Sequence, residues 1–136
     1  MKTEWDYTDR AHTYDQRADY SDNAINNLLN QIGSAADKPV ADIGAGTGKL
    51  TKLLLNYGLT VTAVEPNENM RMYGVDNTSG QKVTWIEGVG EKTGLPDNSM
   101  HAVFFGSSFN VVDQTKALTE AARVLVPNGW FSCMWN

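Results

Sequence analysis

The chain has 136 residues, 41% hydrophobic and 20% charged, an ordinary composition for one globular domain. Its net charge is -5 at pH 7 with only 11 scattered Lys and Arg, which argues against a nucleic-acid binder, because phosphate contacts need clustered cations. A single cysteine, Cys133, excludes an internal disulfide and offers no zinc-site spacing, so a reducing, cytoplasmic compartment is expected.

Residues 1–6 are charged and lack the apolar segment of a signal peptide. No run approaches the ~18 apolar residues of a membrane span. Residues 1–20 read as a lead-in arm, polar with Trp5, Tyr7, His12 and Tyr14 interspersed. From Tyr20 to Ile32, apolar residues at 24, 25, 28, 29 and 32 recur at helical spacing, with Ser21 as N-cap.

Residues 40–43 predict the first strand and 48–55 a helix with Leu50, Leu53 and Leu54 toward the sheet. Gly58 suits that helix's C-terminal cap. Residues 59–64 are a β-branched second strand, 67 to about 73 a short helix and 83–86 a third strand. A turn at 95–98 precedes a fourth strand at 102–105. The helix predicted over 114–125 places Leu118, Ala121, Ala122 and Leu125 on one face. Pro127-Asn128-Gly129 makes a turn, and 130–135 predicts the fifth strand. Strands alternating with helices define an α/β domain with a mostly parallel sheet.

The chemistry centres on Asp42-Ile43-Gly44-Ala45-Gly46-Thr47-Gly48. Gly44 permits a sharp turn after the strand, Gly46 a close approach to a ligand, and Gly48 a close seat for the next helix. The GxxxxGK[ST] pattern of a phosphate-cradling loop is absent. A carboxylate at Asp42 repels a pyrophosphate and attracts a cationic amino-acid tail, directly or through water. It can equally brace the loop's own amides. Glu65 follows the second strand, where an acid can accept both hydroxyls of a ribose. It can also serve as a favourable charge at a helix start. Asn67 and Met70 are placed to flank an adenine, with core packing as the alternative for Met70.

These features resemble the class I S-adenosylmethionine-dependent methyltransferases. The resemblance runs over Val40-Ala41-Asp42-Ile43-Gly44-Ala45-Gly46-Thr47-Gly48, Val64-Glu65-Pro66-Asn67, Gly94-Leu95-Pro96-Asp97-Asn98-Ser99 and Ala122-Arg123-Val124-Leu125-Val126-Pro127-Asn128-Gly129. It implies a Rossmann-like three-layer sandwich with about five strands present, and S-adenosylmethionine as cofactor. Asp42, Gly44, Ala45 and Gly46 would hold the methionine part and Glu65 the ribose, with the adjoining Pro66 counted among the cofactor-binding residues. Gly88, Val89, Gly90 and Glu91 would hold adenine. Gly106 and the residues after it would lie near the methyl group. Tyr14 and Tyr20 resemble the lead-in that covers the cofactor.

The chain departs from the family pattern in places. Val89 and Gly90 stand where relatives place a polar side chain beside adenine. Asn110-Val111-Val112-Asp113 replaces a His-containing segment, which leaves His101 and His12 as the remaining histidines for a general base. The family continues beyond a fifth strand, so the chain reads as a core without its C-terminal strands. The edge carrying Trp130, Phe131, Met134 and Trp135 then needs cover from a partner or a second copy. Methyl transfer is an in-line displacement governed by alignment. A small-molecule acceptor with a nitrogen or carbon nucleophile fits best, since an oxygen nucleophile usually needs a base. A cofactor-binding or partner-binding module without chemistry, and a nucleic-acid or protein methyltransferase, stay open.

Overall fold

The structure is a computed structural model that describes residues 38–106 and 109–133, together with residues 27 and 30. The lead-in arm with His12, Tyr14 and Tyr20, and the terminal Met134 and Trp135, lie outside the described residues. Residues 27 and 30, within the first expected helix, are helical.

The elements run β1 (Pro39–Ile43), α1 (Lys49–Asn56), β2 (Thr60–Val64), α2 (Glu68–Asn77), β3 (Val83–Ile86), β4 (Met100–Phe105), α3 (Gln114–Val124) and β5 (Leu125–Cys133). A short 3-10 turn, Phe109–Val111, precedes α3. All strand pairs are parallel, in the order β3-β2-β1-β4-β5. The order reverses at β1, so a crevice forms at the C-terminal ends of β1 and its neighbours.

Alternation along the strands divides the core. Val40, Val61, Ala102 and Phe104 pack with Leu50, Leu54 and Leu59 on the α1 side. Ala41, Ile43, Val64, Val103 and Phe105 pack with Ala117, Ala121 and Val124 of α3 on the other. Both faces are covered, which is why these strands read as nearly continuous apolar runs. Burying each large aliphatic or aromatic side chain contributes about 1.5–3 kcal/mol.

The α1 terminus follows from sequence. Gly58 adopts φ 86. Its amide bonds to Leu55 O, and the Leu59 amide reaches back to Leu54 O, while Leu54 and Leu59 pack together in the core. This is a glycine-terminated Schellman stop, which aims the chain into β2.

Beyond shifts of one or two residues at element ends, such as β4 starting at Met100, two boundaries and one helix face differ from expectation. Helix α2 continues to Asn77, where Thr78 closes it by bonding Gly74 O through its hydroxyl. Strand β5 starts at Leu125, and the Pro127-Asn128-Gly129 turn becomes an irregularity inside it. Met100 pairs with Leu125 but Ala102 with Trp130, and Asn128 sits at φ 66. A proline without an N–H and a left-handed asparagine are accommodated by bulging rather than by ending the strand. On α3 the buried face is Ala117, Ala121 and Val124; Leu118 is 47% exposed and Ala122 also faces solvent.

Candidate cofactor-binding site

The loop after β1 is fixed by glycine conformations and inward-turned amides. Gly44, Gly46 and Gly48 adopt φ 69, 61 and 93, a region that penalises any Cβ. Gly44 N and Ala45 N donate to Val64 O at 2.8 and 3.0 Å, and Gly48 N donates to Ala45 O at 3.0 Å. Gly46 N donates to Glu65 Oε1 at 2.7 Å. A phosphate nest needs such amides pointing at the anion. Here they bond to the protein, so the loop offers shape rather than positive potential.

Glu65 ends the β2 side of the crevice and is 5% exposed. Its Oε2 accepts the Asn67 amide at 2.9 Å, and Arg71 Nη1 donates to its backbone carbonyl at 2.8 Å. Burial raises its pKa, and the Asn67 and Gly46 amides and the Arg71 charge offset only part of that rise. A carboxylate has about four lone-pair directions. Two are engaged by amides, so its orientation is fixed while capacity for a ribose diol remains.

Asp42 lies deeper, 1% exposed, on the α1 side of β1. Its Oδ2 accepts the Thr51 hydroxyl at 2.6 Å. Burial pushes its pKa up to about 7, against the lowering effect of the Thr51 bond and with added repulsion from Glu65. Among the described residues, Asp42 Oδ1 and Thr47 Oγ1 are buried side-chain atoms without a hydrogen-bond partner. Such orphaned atoms beneath the glycine loop leave room for a further polar partner, a water or a ligand. Together with the Glu65 carboxylate, they fit a ligand carrying hydroxyls and a cationic tail.

The loop of residues 88–93 forms the next wall. Val89 N bonds Lys92 O at 3.1 Å and Lys92 N bonds Val89 O at 3.0 Å. A Cβ on Gly88 would stand 2.7 Å from Thr93 O and 2.8 Å from Val64 Cγ1, and one on Gly90 3.0 Å from Phe105 Cε2. Both glycines therefore let this loop close onto the sheet. Glu91 Oε2 accepts the Asp113 amide at 2.9 Å, which directs it toward the start of α3.

Pro66 and Asn67 are half-buried just past β2, where Asn67 Oδ1 caps α2 by accepting Met70 N at 2.9 Å. Met70 is 1% exposed and sits in the interior. Gly106 is buried at the C-terminal end of β4. His101 lies at the opposite end of that strand, one residue before the Ala102–Val40 pair. This placement removes it from the crevice as a candidate base.

Four supporting features escaped the sequence reading. Thr51 carried no pattern of its own. Trp85 lies against Gly74, where a Cβ would meet its ring at 2.1 Å, and its Nε1 donates to Thr78 Oγ1 at 2.9 Å. Asn77 Nδ2 donates to Thr47 O at 2.9 Å, which ties α2 to the glycine loop. Finally, Arg123 joins two motifs read separately. It donates through Nε to Glu120 Oε1 at 2.9 Å, through Nη2 to Leu95 O at 2.7 Å, and through Nη1 to Asp97. The Arg123 bond, with help from Thr93, holds the Glu120 pKa down to about 2 against the effect of burial. The three-residue spacing of Glu120 and Arg123 was the available signal.

Comparison with known proteins identifies the family and the fold. Residues 41–133 match the family model described as a methyltransferase domain. An uncharacterized methyltransferase of Mycobacterium tuberculosis is 39% identical over 120 residues, covering 88% of this chain and 47% of that protein. The ubiquinone/menaquinone biosynthesis C-methyltransferase UbiE of Caulobacter vibrioides is 28% identical, covering 91% and 56%. A crystal structure described as a methyltransferase from an antibiotic biosynthesis pathway of Anabaena variabilis superposes with a TM-score of 0.69 at 35% identity, covering 82% of this chain and 44% of that one. The chain thus spans about half the length of the relatives it matches. It belongs to the class I S-adenosylmethionine-dependent methyltransferases, whose cofactor is S-adenosylmethionine. Among the described residues no helix is long and apolar enough to cross a membrane, and no group of three or more His, Cys, Asp or Glu could hold a metal ion.

Proposed function

We propose that this chain binds S-adenosylmethionine across the C-terminal ends of β1, β2 and β4, and that the protein transfers its methyl group to a small molecule in the cytoplasm. The observation that carries the reading is Glu65. It is buried, fixed by two backbone amides, and set beside a loop whose own amides are engaged. In this proposal Glu65 accepts the ribose hydroxyls, and the 44–46 backbone shapes the seat of the methionine part. Asp42 supports the cationic tail through a bridging water, since its carboxylate is covered. Residues 88–91 enclose adenine by backbone and by the Val89 side chain.

When bound, the cofactor supplies a methyl group already activated by a sulfonium leaving group. The chain's residues therefore bind, orient and exclude water, and alignment supplies most of the acceleration. A carbon or nitrogen acceptor fits this economy of groups. The small-molecule reading is supported by the net charge of -5 and by the names of two relatives, a quinone C-methyltransferase and a methyltransferase of antibiotic biosynthesis.

Calorimetric titration with S-adenosylmethionine, with NAD as control, tests the proposal. Saturable binding of the first alone is expected. Glu65→Ala should weaken it at least ~10-fold, the scale of a lost hydrogen bond to a charged group. Equal binding of NAD, or an unaffected Glu65→Ala variant, would overturn it.

A further inference from the structure

The loop that would enclose adenine is held from outside the crevice, by α3. Thr93 is 2% exposed, and its amide and hydroxyl both donate to Glu120 Oε2, at 2.8 and 2.7 Å. The same hydroxyl accepts the Leu95 amide at 3.1 Å. Carbonyl Thr93 O lies 2.7 Å from the place a Cβ on Gly88 would take, so Thr93 packs directly against the loop's first residue. Between them, Val89 and Lys92 exchange two backbone bonds and close one tight turn. The Glu120 carboxylate is in turn clamped by Arg123 through both Nε and Nη2, at 2.9 and 2.8 Å.

Glu120 is 11% exposed and lies one full turn and more from the α3 N-terminus. Helix stability does not call for this arrangement. A solvent-facing Glu–Arg pair three residues apart contributes only about 0.2–0.5 kcal/mol in a helix. Here one carboxylate instead collects two donors from a single residue of the neighbouring loop.

We propose that Glu120 is a positioning residue for the cofactor site, with its Oε2 atom fixing Thr93 and thereby the shape of residues 88–92 around adenine. This rests on the reading that those residues enclose adenine. Arg123 orients the carboxylate, and Asp97 and Leu95 O orient Arg123, so the Gly94-to-Ser99 segment and α3 hold the adenine wall jointly. The wall then depends on α3, although it is covalently continuous with β3.

The experiment pairs amide hydrogen exchange with calorimetry on the full chain, using S-adenosylhomocysteine as the probe ligand. Glu120→Ala should speed exchange at Val89 and Lys92 while leaving Gly46 and Gly48 protected as in the parent. It should weaken S-adenosylhomocysteine about tenfold, the scale of one lost charge-assisted bond. Glu120→Gln retains an oxygen that accepts from Thr93 and should restore most of the affinity. Leu54→Ala, a core change on the opposite face, should lower stability without altering the exchange pattern of the 88–92 loop. Unchanged exchange at Val89 and Lys92 in Glu120→Ala would overturn the proposal whether or not the ligand binds. So would an affinity loss equal in Leu54→Ala and Glu120→Ala. Failure of the parent to bind the ligand, with Val89 and Lys92 exchange raised in Glu120→Ala, would instead defeat the cofactor reading and leave the Glu120 anchor standing.

Discussion

Asp42→Asn should invert its effect on stability between acid and alkaline pH. Asp42 is fully buried, with Oδ2 bonded to Thr51 and Oδ1 lacking a partner. Its pKa rises from an ordinary 3.8 to about 7 in the folded chain, which corresponds to about 4 kcal/mol against the ionised form. The sign follows from proton binding. Between those two values the folded state holds the proton and the unfolded state does not, so stability falls as pH rises through the window. Below it both states are neutral at this site, and above it the full penalty is present. Asparagine never ionises, and its amide oxygen still accepts from Thr51. Its buried amide N–H₂ costs about 1–3 kcal/mol for want of partners. The variant should therefore be less stable than the parent at pH 4 and more stable at pH 8, by roughly 1–3 kcal/mol each way. Urea unfolding of both chains without ligand, from pH 4 to pH 8, reads the difference directly. Parallel stability curves would refute the reasoning, because titrating groups remote from Asp42 cancel between the two and Glu65, which faces it, contributes only the lesser part of the shift. A stability gain that coincides with weaker cofactor binding would be the familiar conflict between a strained site and its function.

Gly74→Ala tests the seat of Trp85. An exposed helical Gly→Ala change normally stabilises by about 1 kcal/mol. Here the new methyl would meet Trp85 at 2.1 Å, so a loss of about 1–3 kcal/mol from overpacking is expected, with an altered Trp85 fluorescence spectrum. A more stable variant would show that the indole is free to move aside. Leu118→Lys should change the thermal midpoint little, within about 0.5 kcal/mol, whereas Val124→Ala on the buried face should cost about 1–3 kcal/mol. Reversed outcomes would return α3 to the face that its leucine spacing predicted.

Strand β3 emerged from sequence with both ends correct because a β-branched and aromatic run is bounded by turn residues on each side. Helix α1 and its stop were legible for a similar reason: Gly58 has one conformational use there. The α3 face misled because alanines are ambiguous. Ala117 and Ala121 are small enough to lie flat on the sheet, and the larger Leu118 is left outside. Periodicity weighs Leu above Ala, whereas close packing against a sheet favours the smaller side chain. At the site, the acids and glycines were visible because each has a distinctive backbone or charge consequence. Their supports were not. Thr51, Trp85 and Glu120 act across 9, 11 and 27 residues of sequence on Asp42, Gly74 and Thr93, and no local pattern encodes such pairings.

Those supports bear on the kind of catalysis that the fold can offer. An in-line displacement gains most when the reacting centres are held within a narrow range of position and angle. The crevice meets that demand with two loops held by three separate anchors. Glu65 binds the glycine loop to the end of β2 through Gly46. Asn77, beside the Trp85–Gly74 contact, binds the same loop to α2. Glu120 and Arg123 bind the 88–93 loop to α3 and to the segment before β4. Each anchor uses a buried or half-buried hydrogen bond, whose rupture costs more than its formation gains. The loops are thus irregular in conformation but not slack. A crevice of this construction can hold a ligand within a narrow range of positions, because its rigidity comes from the pairing of distant segments.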